Sequence, residues 1–177
     1  MSESTQTALY ITFRLADEMF AVDVNQVREI LDSPKITPIP NTPAFMRGVI
    51  NVRGSVVPVI DMRQKFGMPA IENTANTRII VLELELDGKA LVLGALADSV
   101  KEVIELSPEQ TEAPPRIGSR WKSEFIKGIG KQNEEFIILL DIERFFLTNG
   151  LAVADIVSAG TESEKIYERN AGDTDSI

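Results

Sequence analysis

Residues 41–67 read NTPAFMRGVINVRGSVVPVIDMRQKFG. Two β-branched runs, 49–52 and 56–60, flank Arg53-Gly54-Ser55, so the stretch predicts a hairpin whose glycine supplies the turn conformation. Asp61 follows the second run. With Gln64 three residues on and Gly67 just beyond Phe66, it predicts an N-cap of one short helical turn ended by glycine.

The same block returns later in the chain. Phe45-Met46-Arg47-Gly48-Val49 with Asp61 and Phe66 matches Phe125-Ile126-Lys127-Gly128-Ile129 with Asp141 and Phe146, at a constant offset of 80. Upstream, Val27-Arg28-Glu29-Ile30 matches Val100-Lys101-Glu102-Val103 at an offset of 73. Each of these blocks follows a hairpin signal: 9–15 with 19–24, and 78–86 with 90–97 around Asp87-Gly88. A repeat of this length implies two related β-units. Asp61 and Asp141 occupy equivalent positions and read as caps after a strand, not as a catalytic carboxylate pair.

Each unit offers about five short strands bounded by Gly, Pro and Asp. The fold class expected is therefore all-β, with two five-stranded barrels and short helical turns. The first barrel is expected at about 9–66 and the second at about 77–147, with strand exchange at their ends left open. Residues 1–8 and 148–177 read as tails; the latter holds two basic and six acidic residues, a net −4. Small barrels have thin cores, so the two should pack together and leave a groove between them. The stretch 107–119 reads as a long surface loop. Trp121, Phe125 and Phe136 read as core aromatics.

Composition narrows the function classes. The chain has 27 Asp plus Glu against 18 Lys plus Arg, a formal charge of −9, which disfavours nucleic acid and anionic membrane surfaces. No apolar run approaches the length of a spanning helix, so no membrane insertion is expected. Without cysteine or histidine, disulfides, thiolate chemistry, the commonest metal ligand and the commonest general base are all missing. No cofactor or metal is expected. A carboxylate-based hydrolase is the enzyme class this composition leaves open. The Gly-Ile-Gly-Lys at 128–131 lacks the Ser or Thr and the upstream glycine of a phosphate loop.

The stretch 41–67, the later Phe125-Ile126-Lys127-Gly128-Ile129-Gly130 and the ending at 136–146 resemble the bacterial CheW chemotaxis coupling proteins, over about residues 9–147. The resemblance implies two SH3-like five-stranded barrels and a non-enzymatic, cytoplasmic scaffold recruited to receptor clusters. It implies two partners, the cytoplasmic tips of methyl-accepting chemoreceptors and a CheA-type histidine kinase. Carried onto this sequence, the receptor-binding residues are Val27, Glu29, Ile30, Arg53 and Gly54, with Val27 and Ile30 expected as an apolar floor. The kinase-binding residues are Arg78, Ile79, Val100 and Val103, although Arg78 stands where the family often has an apolar residue. An adaptor of a different chemosensory or motility pathway is the alternative. The two units also differ: Asn51-Val52-Arg53-Gly54 is replaced by Lys131-Gln132-Asn133-Glu134, so this turn is expected not to repeat.

Overall fold

The computed structural model describes residues 7–32, 35–41, 44–69, 72–86, 88–113 and 125–148. The expectations for Trp121, for Asp87, for the Phe146 side chain and for the tails at 1–6 and 149–177 lie outside these residues. The strands are β1 (Ala8–Leu15), β2 (Glu18–Asp23), β3 (Val27–Asp32), β4 (Met46–Val52), β5 (Ser55–Ile60), β6 (Arg78–Leu86), β7 (Lys89–Ala97), β8 (Ser99–Leu106), β9 (Thr111–Glu112), β10 (Ile126–Gln132) and β11 (Glu135–Leu140). Two short helices, α1 (Met62–Lys65) and α2 (Ile142–Thr148), follow β5 and β11.

The strands form two sheets, in the orders β3-β6-β7-β5-β4 and β8-β1-β2-β11-β10-β9. The sheets are not contiguous in sequence. Each unit's opening hairpin crosses to the other unit: β1-β2 joins β8, β10 and β11, while β6-β7 joins β3, β4 and β5. The division at 9–66 and 77–147 therefore describes the repeat and not the sheets. The crossing is reciprocal in register. Phe13 pairs with Val100, and Leu82 pairs with Val27; Leu139 pairs with Ala21, and Val59 with Gly94. The opening strands are thus related by 69 residues (82 − 13) and their partners by 73 (94 − 21). Both hairpins close with two residues, but each strand of the second runs two residues further towards the turn, four in all, which is why the ungapped match does not extend through it.

The shared glycine of the two matching blocks has a structural cause. β4 and β10 each carry a bulge, between Met46 and Gly48 and between Ile126 and Gly128. There the chain following the unit's third strand crosses to close the sheet: Thr37 exchanges two backbone hydrogen bonds with Val49 at 2.8 and 2.9 Å, and Glu112 pairs with Ile129. A Cβ on Gly48 would lie 2.2 Å from the Thr37 carbonyl oxygen, and on Gly128, 3.1 Å from that of Glu112. At Gly48 only a glycine lets the backbones approach this closely; at Gly128 a side chain would be tight against the Glu112 backbone.

Each barrel interior is small. One holds Tyr10, Ala21, Ile104, Leu106, Ile137 and Leu139, and the other Ile50, Val57, Val59, Ile79, Val81 and Leu96. The larger core lies between the sheets, where Phe13, Phe20, Phe66, Phe125 and Phe145 form a chain of ring contacts 4.9–6.5 Å apart. Most of the buried apolar residues belong to this central cluster and not to either barrel interior, so the two sheets share one core. Phe125 belongs to this core as expected. Phe136 does not: it is 66% exposed. Phe136 shares the face of Ile138 and Leu140, which pack in the core between the sheets, but it stands nearer the start of β11, before the pairing with β2 at Ile138 and Leu139 begins.

Both aspartate caps form. Asp61 accepts from the Arg63 N–H at 3.0 Å and Asp141 from the Arg144 N–H at 2.9 Å. Asp61 is fully buried and also meets the guanidinium groups of Arg47 (3.2 Å) and Arg63 (3.1 Å). These are structural charges: a carboxylate held this way has its lone pairs occupied by fixed donors.

Candidate functional site

The turn between β4 and β5 has two central residues, Arg53 (φ 52°) and Gly54 (φ 88°), the left-handed pair of a type I′ hairpin. The Gly54 N–H donates to Asn51 Oδ1 at 2.8 Å, which pins the turn. Asn133 (φ 49°) and Glu134 (φ 68°) have the same backbone between β10 and β11. The turn therefore does repeat, contrary to the sequence expectation; only its side chains differ. A two-residue connection between right-twisted antiparallel strands demands this conformation whatever the residues are.

Arg53 extends from its turn with 83% of its side chain exposed, yet its Nε lies 3.6 Å from Glu29 Oε2 on β3. Glu29 pairs with Val81, on the face of β6 that looks into the barrel interior. Together with Arg28, Val52 and Val56 these residues line a cavity of about 340 Å³ at the barrel mouth. Its floor is Val52, Val57, Val81 and Val92; its rim carries the Glu29–Arg53 pair and Arg28, which reaches Glu83 at 3.6 Å. An apolar floor with paired charges at the rim suits one face of an amphipathic helix bearing a few polar groups.

Val27 and Ile30 do not contribute to that floor. A bulge separates Val27 from Glu29, and Ile30 pairs with Ile80, on the opposite face of the sheet. Val27 packs against the core between the sheets, and Ile30 is 39% exposed beside it. The receptor set therefore divides: Glu29, Arg53 and Gly54 come together at the barrel mouth, whereas Ile30 belongs to the outer face of β3.

The kinase set divides as well, because of the hairpin exchange. Arg78 and Ile79 lie on β6 in the five-stranded sheet, Val100 and Val103 on β8 in the six-stranded one. Arg78 is engaged by Asp32 at 2.9 Å and by the Ala75 and Thr77 carbonyls. Ile79 is buried in a barrel interior and Val100 packs against the central core. Val103 is 58% exposed, and its neighbour is Leu9, 49% exposed. Val103 pairs with Ile11 and Leu9 with Glu105, which sets the two apolar side chains on one face. Sequence reasoning missed Leu9. The signal was present in the alternation Leu9-Ile11-Phe13-Leu15, whose last three members are buried while the first lies at the strand's end.

Among the described residues no three carboxylates gather as a metal site, and no helix is long and apolar enough to cross a membrane. The family profile described as CheW-like domain matches residues 9–148. The chain is 35% identical over 149 residues to the chemotaxis protein CheW of Klebsiella aerogenes, covering 84% of this chain and 87% of that one. It is 35% identical over 136 residues to the probable chemotaxis protein CheW of Rhizobium etli, covering 77% and 85%. The crystal structure of the scaffolding protein TtCheW from Thermoanaerobacter tengcongensis superposes with a TM-score of 0.71 at 33% identity, over 80% of this chain and 93% of that one. The paired barrels, the two closing glycines and the agreement over most of the chain have one conclusion: this protein belongs to the CheW family of chemotaxis scaffold proteins, which are adaptors and not enzymes.

Proposed function

We propose that this chain couples methyl-accepting chemoreceptors to a CheA-type histidine kinase, in the cytoplasm at the inner face of the membrane. The observation that carries the reading is the Glu29–Arg53 pair at the rim of a valine-floored cavity. A receptor tip is a helical hairpin, and one helix face could lay its apolar residues on the valines while Arg53 exchanges Glu29 for an acidic receptor side chain. Gly54 keeps the turn free of a side chain that would obstruct the approach of a helix; a Cβ there would stand in open space. Ile30 extends the apolar contact over the edge of β3, and Val27 supports it from the core.

The kinase is assigned to the edge of β8, with Val103 as the exposed anchor, half-buried Val100 packed on the central core and Ile79 buried in the other barrel. Arg78, tied to Asp32, marks the equivalent edge on the other barrel. No chemistry is performed; the protein acts by holding two partners at a fixed spacing.

The test is calorimetric binding of a receptor signalling-tip fragment to the wild type and to Arg53→Glu. Charge reversal beside Glu29 is expected to weaken binding about tenfold or more, roughly 1.4 kcal/mol, with the circular dichroism spectrum unchanged. Equal affinity for both chains would remove Arg53 and the cavity mouth from the receptor site.

A further inference from the structure

We propose that Arg28 is a second specificity-determining residue at the cavity mouth: Glu83 holds it in the free chain, and a carboxylate of the bound receptor helix takes it over. On the adaptor reading above, on which this inference rests, the helix that seats on the valine floor carries two acidic side chains beside its apolar face, one for Arg53 and one for Arg28.

Strict alternation along β3 would turn Arg28 away from Glu29. The bulge in that strand prevents this. Val27 pairs with Leu82 and Glu29 with Val81, so Arg28 is the extra residue, and the local backbone re-aims its side chain. Arg28 consequently lines the cavity next to Glu29. Its own partner stands on the same side. Glu83 follows Ile79 and Val81 on the barrel-facing side of β6 and pairs with Val92 of the cavity floor. Two ion pairs therefore frame one apolar floor, Arg53 with Glu29 and Arg28 with Glu83, each with a closest approach of 3.6 Å.

Both pairs are suited to exchange. Their length exceeds that of a hydrogen bond, and exposed ion pairs of this kind add little to stability. The arginines are also the outer members: the Arg53 side chain is 83% exposed against 27% for Glu29, and Arg28 54% against 46% for Glu83. An approaching helix meets guanidinium groups first. A carboxylate carried by that helix can replace each loose pair with a shorter, charge-assisted one.

The second unit shows that the fold itself does not require this arrangement. At the offsets of 73 and 69, Lys101 stands for Arg28, Arg14 for Glu83 and Thr12 for Val81. Arg14 is a cation bound to Glu135 at 3.2 Å, so it cannot hold Lys101. The Thr12 hydroxyl fastens the bulge in β8, donating to the Glu102 carbonyl at 2.9 Å and accepting from the Glu102 N–H at 3.1 Å. The same irregularity is a closed joint in β8, whereas in β3 Val81 leaves it as the wall of an open mouth.

Calorimetric titration of the receptor signalling-tip fragment into the full-length chain and three variants tests the assignment. Arg28→Gln is expected to lower affinity about fivefold. Glu83→Gln should raise it about two- to threefold, because the cation is free beforehand. With Arg28→Gln already in place, adding Glu83→Gln should change nothing, since the glutamate acts only through the arginine. Both side chains are exposed, and matching thermal melts check that the variants fold alike. Wild-type affinity in Arg28→Gln, no gain in Glu83→Gln, or a Glu83 effect that persists without Arg28 would each overturn the role of Arg28 and leave the adaptor reading standing. A wild-type chain that binds no receptor fragment would overturn both.

Discussion

Arg63 and Asp98 are joined at 2.6 Å across the junction of the two barrels, with the arginine almost wholly buried. Arg63 also binds Asp61, and Asp98 accepts the Ala16 N–H at 2.7 Å, so one cation ties the α1 cap, the β7-β8 corner and the β1-β2 turn together. Removing one member of a buried charge pair leaves the others uncompensated. Arg63→Ala is expected to cost about 3–5 kcal/mol in urea unfolding, and Asp98→Asn less, because the amide oxygen still accepts from Ala16. A loss below about 1 kcal/mol for Arg63→Ala would show that the junction does not depend on these charges.

Two glycines with positive φ should respond unequally to alanine. Gly48 faces the Thr37 carbonyl, with 2.2 Å to an added Cβ, whereas Gly54 faces open space. Gly54→Ala is expected to cost about 1 kcal/mol from its backbone conformation alone. Gly48→Ala adds a backbone clash and should cost clearly more, enough to lower the melting temperature by about 10 °C or to prevent folding. Equal melting temperatures for the two variants would contradict the closure of the barrel at Thr37.

The second hairpin turn offers the opposite change. Glu134 sits at φ 68°, where the first turn has Gly54. Glu134→Gly relieves a left-handed conformation that a side chain disfavours by roughly 1 kcal/mol, so it should raise stability by about that amount. A thermal melt unchanged or lowered by this substitution would mean that the Glu134 side chain has a stabilising role that outweighs the strain.

Val100 and Val103 lie three residues apart on β8 and should separate stability from binding. Val103 is largely exposed, so Val103→Asp should change stability by no more than about 0.5–1 kcal/mol while weakening a CheA-type partner. Val100 packs on the central core, and Val100→Asp should unfold the chain or cost about 3 kcal/mol or more. Loss of stability in both, or retention of kinase binding in Val103→Asp, would remove β8 from the kinase surface.

The sequence was most legible where local chemistry decides the outcome. Alternating β-branched runs, the Arg-Gly turn, the caps Asp61 and Asp141 and the buried Phe125 all followed from residues and their near neighbours. Phe136 failed because it stands at the start of β11, before the pairing with β2 begins, and alternation alone does not show where along a strand burial starts. The turn at Asn133-Glu134 failed for a different reason: strand twist imposed a backbone that Asn133 accepts but Glu134 does not favour.

By itself the sequence determined the two units, their strand order and the residue types on offer: acidic, without cysteine or histidine, rich in β-branched residues. Only the tertiary structure decided which strands share a sheet. Hairpin exchange is invisible to local pattern because β1 and β6 have the same alternation and could pair within either unit. In the observed arrangement the crossing hairpins enclose the central core, where Phe13, Phe20, Phe66, Phe125 and Phe145 are buried. That same choice brought Glu29 to Arg53, parted Arg78 from Val103 and left Leu9 at the surface.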